Sequence, residues 1–338
     1  MHMKISIIGA GSWGTALCAL LGHKGMPVTL WLRRNDLLQK IRQMRENKEY
    51  LPGVLLPENV VLTNNLADAV RGRELLVLAV PSHAVETVCG MISRHINDGA
   101  IIVNVAKGLE EKTFRRLSQV IGDKITNGCE IAVLSGPNHA EEVGRLIPTA
   151  SVVASEKEEA AKIVQDLFMS NYFRVYTNPD ITGVELGGAL KNVIAIAAGL
   201  CVGLGYGDNT MAAIITRGLA EMTRLGVAMG ARSRTFSGLT GVGDLFVTCT
   251  SSHSRNRYVG LMLGKGKNLQ EITSSMKMVA EGIKATRAAH QLSLQYRVNM
   301  PITTEVYNIL FQGIDPRVAS KNLMGREKTV EMEDLAFD

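Results

Sequence analysis

One lysine interrupts the stretch GVELGGALKNVIAIAAGLCVGLG, which begins at Gly183. An ammonium at Lys191, among small and apolar residues, is costly to bury unless a partner or a reaction compensates it. On a helix its neighbours one turn away are Gly187, Gly188 and Ala195, with Ala198 and Gly199 a turn further on. That face is cleared of bulk, either for close helix packing or for a ligand to approach the ammonium. Desolvation lowers the pKa of a lysine toward working pH. Lys191 therefore suits general acid catalysis, protonating a carbonyl oxygen as hydride arrives at carbon. The bland alternative is a lysine that snorkels from a tight helix pair.

A second cluster lies in GLTGVGDLFVTCTSSHSRNRYVG, where a Gly-rich turn carries Asp244 and a polar loop carries Ser254, Arg255, Asn256 and Arg257. Arginine presents a planar fork to phosphate oxygens, and Ser and Asn add neutral donors, so an anion cradle is expected there. Asp244 is expected to orient Lys191 or accept a substrate hydroxyl, with helix capping as the alternative. Glu281 and Gly282, in KMVAEGIKATRAA, read as a turn or helix start near the site.

Near the N-terminus, IGAGSWG places Gly9, Gly11 and Gly14 in the G-x-G-x-x-G pattern between an apolar run and an apolar-periodic helix. Gly9 permits the tight turn, Gly11 lets backbone approach a pyrophosphate, and Gly14 allows helix and strand to pack closely. The end of the next strand reads WLRRND. An acidic residue there would bind a ribose 2′-hydroxyl, whereas arginine accommodates a 2′-phosphate. Arg33 and Arg34 thus predict that NADP(H) is accepted, and Arg33 is the first choice. Three later loops carry polar groups. AVPSHAVE offers Ser82 as an N-cap beside a structural His83, VNVAKGLE puts Lys107 after a buried strand, and LSGPNHAEE gives a turn at Gly136 and Pro137. Asn138 and Glu141 in that last loop are spaced as a capping box.

Those residues must be held by elements, and the elements are legible. KISIIG, VTLWL, LLVLAV, IIVNVA, IAVLSG, SVVAS and FRVYT are short β-branched runs alternating with helical stretches. The alternation predicts an α/β fold with a Rossmann-type, mostly parallel sheet. After about Asn178 the strand runs stop and helices separated by Gly-bearing loops follow. This predicts a dinucleotide-binding domain over 1–178 and an all-helical substrate and catalytic domain over 179–338, with the boundary near Pro179. The charged end, GREKTVEMEDLAFD, is expected to be a helix with a frayed tail.

Composition narrows the classes. The 338 residues are 46% hydrophobic and 20% charged, with a net charge of +5, an ordinary packed protein long enough for two cores. Lys and Arg are scattered rather than gathered, so a small anion is a better partner than nucleic acid. Five widely spaced cysteines without a CxxC pair argue against disulfides and against zinc, and favour a reducing cytoplasm. The apolar run from Val193 to Leu204 is too short for a membrane helix, so no transmembrane span is expected.

The segments GAGSWGTA, SGPNHAEE, ELGGALKNVIAIAAGL, ITRGLAEM, GVGDLFVTCTSSHSRNR and VAEG occur in this order. Over almost its whole length the chain resembles the bacterial soluble NAD(P)-dependent glycerol-3-phosphate dehydrogenases. The resemblance implies interconversion of sn-glycerol 3-phosphate and dihydroxyacetone phosphate with NADP(H) or NAD(H), feeding phospholipid synthesis. It implies a catalytic Lys191 and cofactor contacts at Ser12, Trp13, Arg33, Arg34, Tyr50, Lys107, Ala140, Arg255, Val279 and Glu281. Substrate contacts would be Lys107, Gly136, Asn138, Lys191, Asp244, Ser254, Arg255 and Asn256. Asn138 departs from a common threonine, so its contact must use the amide or the backbone. A β-hydroxyacid or 6-phosphogluconate type dehydrogenase shares the G-x-x-x-K spacing of Gly187 to Lys191, but position 195 is Ala where that group resembles K-x-x-x-N. A non-catalytic dinucleotide sensor is the remaining alternative. The apolar helical half is compatible with a homodimer.

Overall fold

The structure is a computed structural model in which residues 3–276 and 280–331 are described. Eight strands form one sheet: β1 (Ile5–Ile8), β2 (Val28–Trp31), β3 (Val60–Thr63), β4 (Leu75–Leu78), β5 (Ile101–Asn104), β6 (Glu130–Ser135), β7 (Thr149–Ser155) and β8 (Phe173–Asn178). Their order is β3-β2-β1-β4-β5-β6-β7-β8. Every neighbouring pair is parallel except β6 and β7. The sheet is therefore the expected mostly parallel one, with one strand more than the apolar runs suggested. That strand, β3, alternates buried and exposed residues on the sheet edge, and Val61 is 59% exposed. An edge strand of four residues lacks the continuous apolar signature of its inner neighbours.

β1, β2, β4 and β5 are buried throughout because helices cover both faces. Ile7 packs on one side with Leu17 and Leu21 of the Ser12–His23 helix. Ile8 packs on the other with Leu78 and with Val85 of the Val85–Ile92 helix. Strand order reverses between β1 and β4, and such a switch point opens a crevice at the carboxyl ends of the strands.

After β8 the described chain is helical. The Ile181–Gly203 helix is the centre of this half and is buried along nearly its whole length. Asp180 fixes its start: one carboxylate oxygen accepts the N–H of Gly183 at 2.9 Å, and the other accepts the N–H of Arg232 and the hydroxyl of Thr235. Its 23 residues contain an 18-residue window of mean hydropathy 1.6, so the helix is longer than the Val193–Leu204 run and apolar enough by composition to cross a bilayer. However, 89% of that window is buried inside the protein, which makes it a core helix here.

Small residues let this central helix meet the Arg255–Gly264 helix backbone to backbone. A Cβ on Gly199 would lie 2.0 Å from the carbonyl oxygen of Arg257, and one on Gly260 would lie 2.0 Å from that of Ile196. The face around Lys191 is also filled by protein, with Gly187 against the Thr240 backbone and Gly188 against Ser135 and Lys107. Close packing thus accounts for the small residues, and ligand room there is not needed to explain them. The last helix, Pro316–Met324, stops before Gly325, so over the described residues the charged end is not helical.

Candidate active site

Lys191 emerges from the middle of the central helix, only 4% exposed, and its Nζ donates to Asp244 Oδ1 and to Thr248 Oγ1. Asp244 opens the Asp244–Thr250 helix, so Thr248 lies one turn further along the same face. The other carboxylate oxygen of Asp244 accepts from Lys107 Nζ at 2.9 Å. Lys107, in the loop after β5, also donates to the carbonyl of Gly136 and to Asn138 Oδ1, at 2.9 and 2.8 Å. One carboxylate from the helical half therefore joins two lysines, one from each half.

Electrostatics follow from that geometry. Burial pushes Lys191 down to about 7; Asp244 opposes the shift and the Lys107 ammonium reinforces it. Burial alone would raise the Asp244 carboxyl, but the Lys107 and Lys191 ammoniums outweigh it and hold the group below the ordinary carboxylate range.

The two lysines border a cleft of about 370 Å³. Gly11, Ser12, Trp13 and Tyr50 line one end. Lys107, Asn138, Ala140 and Lys191 line the middle, and Ser254, Arg255, Asn256 and Glu281 complete it. Gly9 adopts φ +116°, and a Cβ there would meet Ala79 O at 2.5 Å, so only glycine fits the turn after β1. A Cβ on Gly14 would fall 1.9 Å from Gly9 O, whereas Gly11 faces open space. The turn and the first N–H groups of the following helix therefore fit a dinucleotide pyrophosphate.

Several expected residues lie outside the cleft wall. Asp244 and Gly136 stand behind it, bonded to its lysines. Arg33 and Arg34 follow β2 and are exposed; Arg34 is ion-paired with Asp36 and Glu49. Val279 falls outside the described residues.

Two capping expectations are corrected. Ser82 does not cap a helix: its N–H and hydroxyl donate to the Glu281 carboxylate at 3.2 and 2.6 Å. Glu281 thereby ties the loop after β4 to the start of the Glu281–Gln295 helix. Asn138 forms no capping box either, because His139 occupies the N-cap position of the Ala140–Gly144 helix. The Asn138 amide instead accepts from Lys107 and donates to Ser151 Oγ.

Sequence reasoning passed over three side chains that the fold places here. Thr248 binds Lys191, and its i+4 spacing from Asp244 was the available signal. Asn192 accepts from Asn256 Nδ2 at 2.8 Å, while Asn256 Oδ1 accepts the N–H of Gly282. His139 borders the cleft beside Asn138. Ser254 caps the Arg255–Gly264 helix by accepting from the N–H of Arg257.

Comparison with known proteins agrees with this arrangement. Residues 4–161 match the family profile for the NAD-dependent glycerol-3-phosphate dehydrogenase N-terminus, and residues 180–321 match that for its C-terminus. The chain is 52% identical to glycerol-3-phosphate dehydrogenase [NAD(P)+] of Pelotomaculum thermopropionicum, over 100% of this chain and 97% of that one. It is also 52% identical to the enzyme of the same name from Moorella thermoacetica, over 98% and 99% of the two chains. The crystal structure of glycerol-3-phosphate dehydrogenase from Coxiella burnetii superposes with a TM-score of 0.92 at 38% identity, covering 96% of this chain and 99% of that one. Matched in both halves and end to end, the chain belongs to the NAD-dependent glycerol-3-phosphate dehydrogenase family.

Proposed function

We propose that the chain interconverts sn-glycerol 3-phosphate and dihydroxyacetone phosphate with NAD(P)(H), supplying glycerol 3-phosphate for phospholipid synthesis, and that Lys191 moves the proton. The observation that carries this is a buried lysine in the cleft wall, held by Asp244 and Thr248 and lowered toward neutral pH. Residues 1–178 form the cofactor domain and 179–338 the substrate domain, with the reaction at their junction.

Gly9, Gly11, Ser12, Trp13 and Gly14 hold the pyrophosphate end of the dinucleotide. Tyr50, Ala140, Val279 and Glu281 complete its contacts, and Arg33 and Arg34 receive a 2′-phosphate. Arg33 has the larger part, since Asp36 and Glu49 already engage Arg34. When bound, the reduced nicotinamide supplies hydride to C2 of the ketone. Lys191 donates its proton to the oxygen that becomes the C2 hydroxyl, and in the oxidative direction neutral Lys191 accepts it. Asp244 fixes the ammonium and balances its charge. Lys107, Gly136 and Asn138 shape the substrate end.

Ser254, Arg255 and Asn256 anchor the phosphate at a helix N-terminus, where free N–H groups and the helix dipole favour an anion. Because the Asn256 amide already bridges Asn192 and Gly282, its contribution is the backbone N–H. Binding a phosphate remote from C2 fixes the approach of the reacting carbon. A homodimer through the apolar helical half and a cytoplasmic location, given five scattered cysteines, complete the picture.

The test is the initial rate of NADPH oxidation with dihydroxyacetone phosphate, beside NADH and a 3-oxo-acid control. Turnover restricted to the ketone phosphate is expected, with a fall of about 10²- to 10⁴-fold in Lys191→Ala and cofactor binding retained. Undiminished turnover in Lys191→Ala would remove the proposed proton carrier. Binding of dinucleotide without turnover by the native chain would instead favour a sensor.

A further inference from the structure

Two side-chain nitrogens of residues bordering the cleft are buried without a hydrogen-bond partner, Trp13 Nε1 and His139 Nε2. Leaving such a group unpaired costs free energy that a bound ligand recovers. Trp13 belongs to the first turn after the glycine motif, at the cofactor end. His139 belongs to the substrate end: it follows Asn138, whose amide holds Lys107, and it senses the charges of Lys191, Lys107 and Asp244. His253, next to Ser254, faces it with ring centroids 6.2 Å apart and planes tilted by 57°.

The chemistry of His139 follows from this setting. Burial, then the Lys191 and Lys107 ammoniums, push it down to about 4, so at neutral pH it is an uncharged imidazole. In either tautomer Nε2 is a single donor or a single acceptor. A hydroxyl satisfies both cases, whereas a phosphate dianion or ketone oxygen only accepts. The nearest alternatives are already engaged. Lys107 uses its three N–H bonds on Gly136, Asn138 and Asp244, and the Asn138 amide is shared between Lys107 and Ser151.

We propose that His139 is a specificity-determining residue, with Nε2 hydrogen-bonded to the primary hydroxyl on C1 of dihydroxyacetone phosphate. The inference rests on the reaction proposed above. It gives the substrate three readers: helix N-terminus for phosphate, Lys191 for the C2 oxygen, and His139 for the C1 hydroxyl.

The experiment compares kcat/KM for dihydroxyacetone phosphate with that for its methyl ketone analogue, in which CH3 replaces CH2OH. Native enzyme, His139→Phe and His139→Gln are measured. The native enzyme should prefer the hydroxyl-bearing ketone by about 10- to 100-fold, the range expected for one buried hydrogen bond to a ligand. In His139→Phe the loss should fall on dihydroxyacetone phosphate alone, collapsing the preference, while His139→Gln, which can still hydrogen-bond, keeps most of it. A native enzyme that does not discriminate would overturn the proposal without any variant. So would an unchanged preference in His139→Phe, or an equal loss on both substrates, which would mark a packing role. A native enzyme inactive on both ketones would remove the underlying reaction, and this inference with it.

Discussion

Burial sets the working range of Lys191. With the ammonium pushed down to about 7, the group proposed to give a proton during ketone reduction is lost as pH rises through that value. The neutral group needed for alcohol oxidation is gained over the same interval. The kcat/KM of the reductive direction should therefore fall above about pH 7 and that of the oxidative direction should rise. Asp244 is the main influence holding the lysine up, so Asp244→Asn should move the reductive limb to lower pH. Parallel pH dependence in the two directions, or a limb that stays put in Asp244→Asn, would show that another group carries the proton. At this scale the sequence was informative where a residue was out of place. The lone lysine in an apolar helix does lie in the cleft wall, and the Gly-rich turn does bring Asp244 to it as a partner. Thr248 is marked locally only by its i+4 spacing from Asp244. The Asn138 and Ser82 expectations failed for a related reason. Capping is a local bond, and here each side chain has a stronger distant partner, Lys107 with Ser151 for one and Glu281 for the other.

The elements that carry the site are held in register by missing side chains. Asn192 bonds Asn256, Ile196 O lies against Gly260, and Leu200 O lies against Gly264. The contacts advance by four residues on both helices, so the two run parallel along one stripe. Lys191 and the proposed phosphate anchor at Ser254 to Asn256 are thus spaced by a backbone contact that glycine alone permits. Gly260→Ala would place a Cβ 2.0 Å from Ile196 O and 2.8 Å from Leu200 N, with no flexible side chain able to yield. It should cost about 1–3 kcal/mol in chemical denaturation. Because the anchor helix is pushed from its neighbour, KM for dihydroxyacetone phosphate should rise more than KM for NADPH. Equal changes in both, or none, would mean that the helix spacing is not what positions the phosphate. The small residues on the central helix were visible in the sequence, but their match to glycines on the partner helix was not, since no local pattern links positions 64 residues apart, as Ile196 and Gly260 are. The strand runs were easier because buried parallel strands are apolar without interruption. β3 escaped because its edge position leaves Val61 facing solvent.

At the scale of the whole molecule, several polar contacts join the sheet half to the helical half, including three to carboxylates of the helical half. Lys107 meets Asp244, Ser82 meets Glu281, and Arg116 with Ser118 meets Glu185. The third is a buried ion pair apart from the cleft wall. Glu185, 5% exposed on the central helix, accepts from Arg116 Nη1 at 2.7 Å and from the N–H of Ser118 at 2.8 Å. An ion pair so placed need not stabilise the fold relative to apolar residues, because desolvating both charges offsets their attraction. Breaking it is different, since the surviving charge keeps its desolvation cost and loses its compensation. Glu185→Leu alone should therefore lose about 3–5 kcal/mol in urea unfolding, while Glu185→Leu combined with Arg116→Met should recover most of that loss. If the pair instead holds the halves together by its net attraction, the double variant should be no more stable than the single one. Because both residues lie away from the glycine turn and the lysines, the double variant should also keep its affinity for NADPH. Weakened NADPH binding in a stably folded double variant would mean that this clasp, rather than the contacts at the cleft itself, sets the spacing across which cofactor and substrate meet.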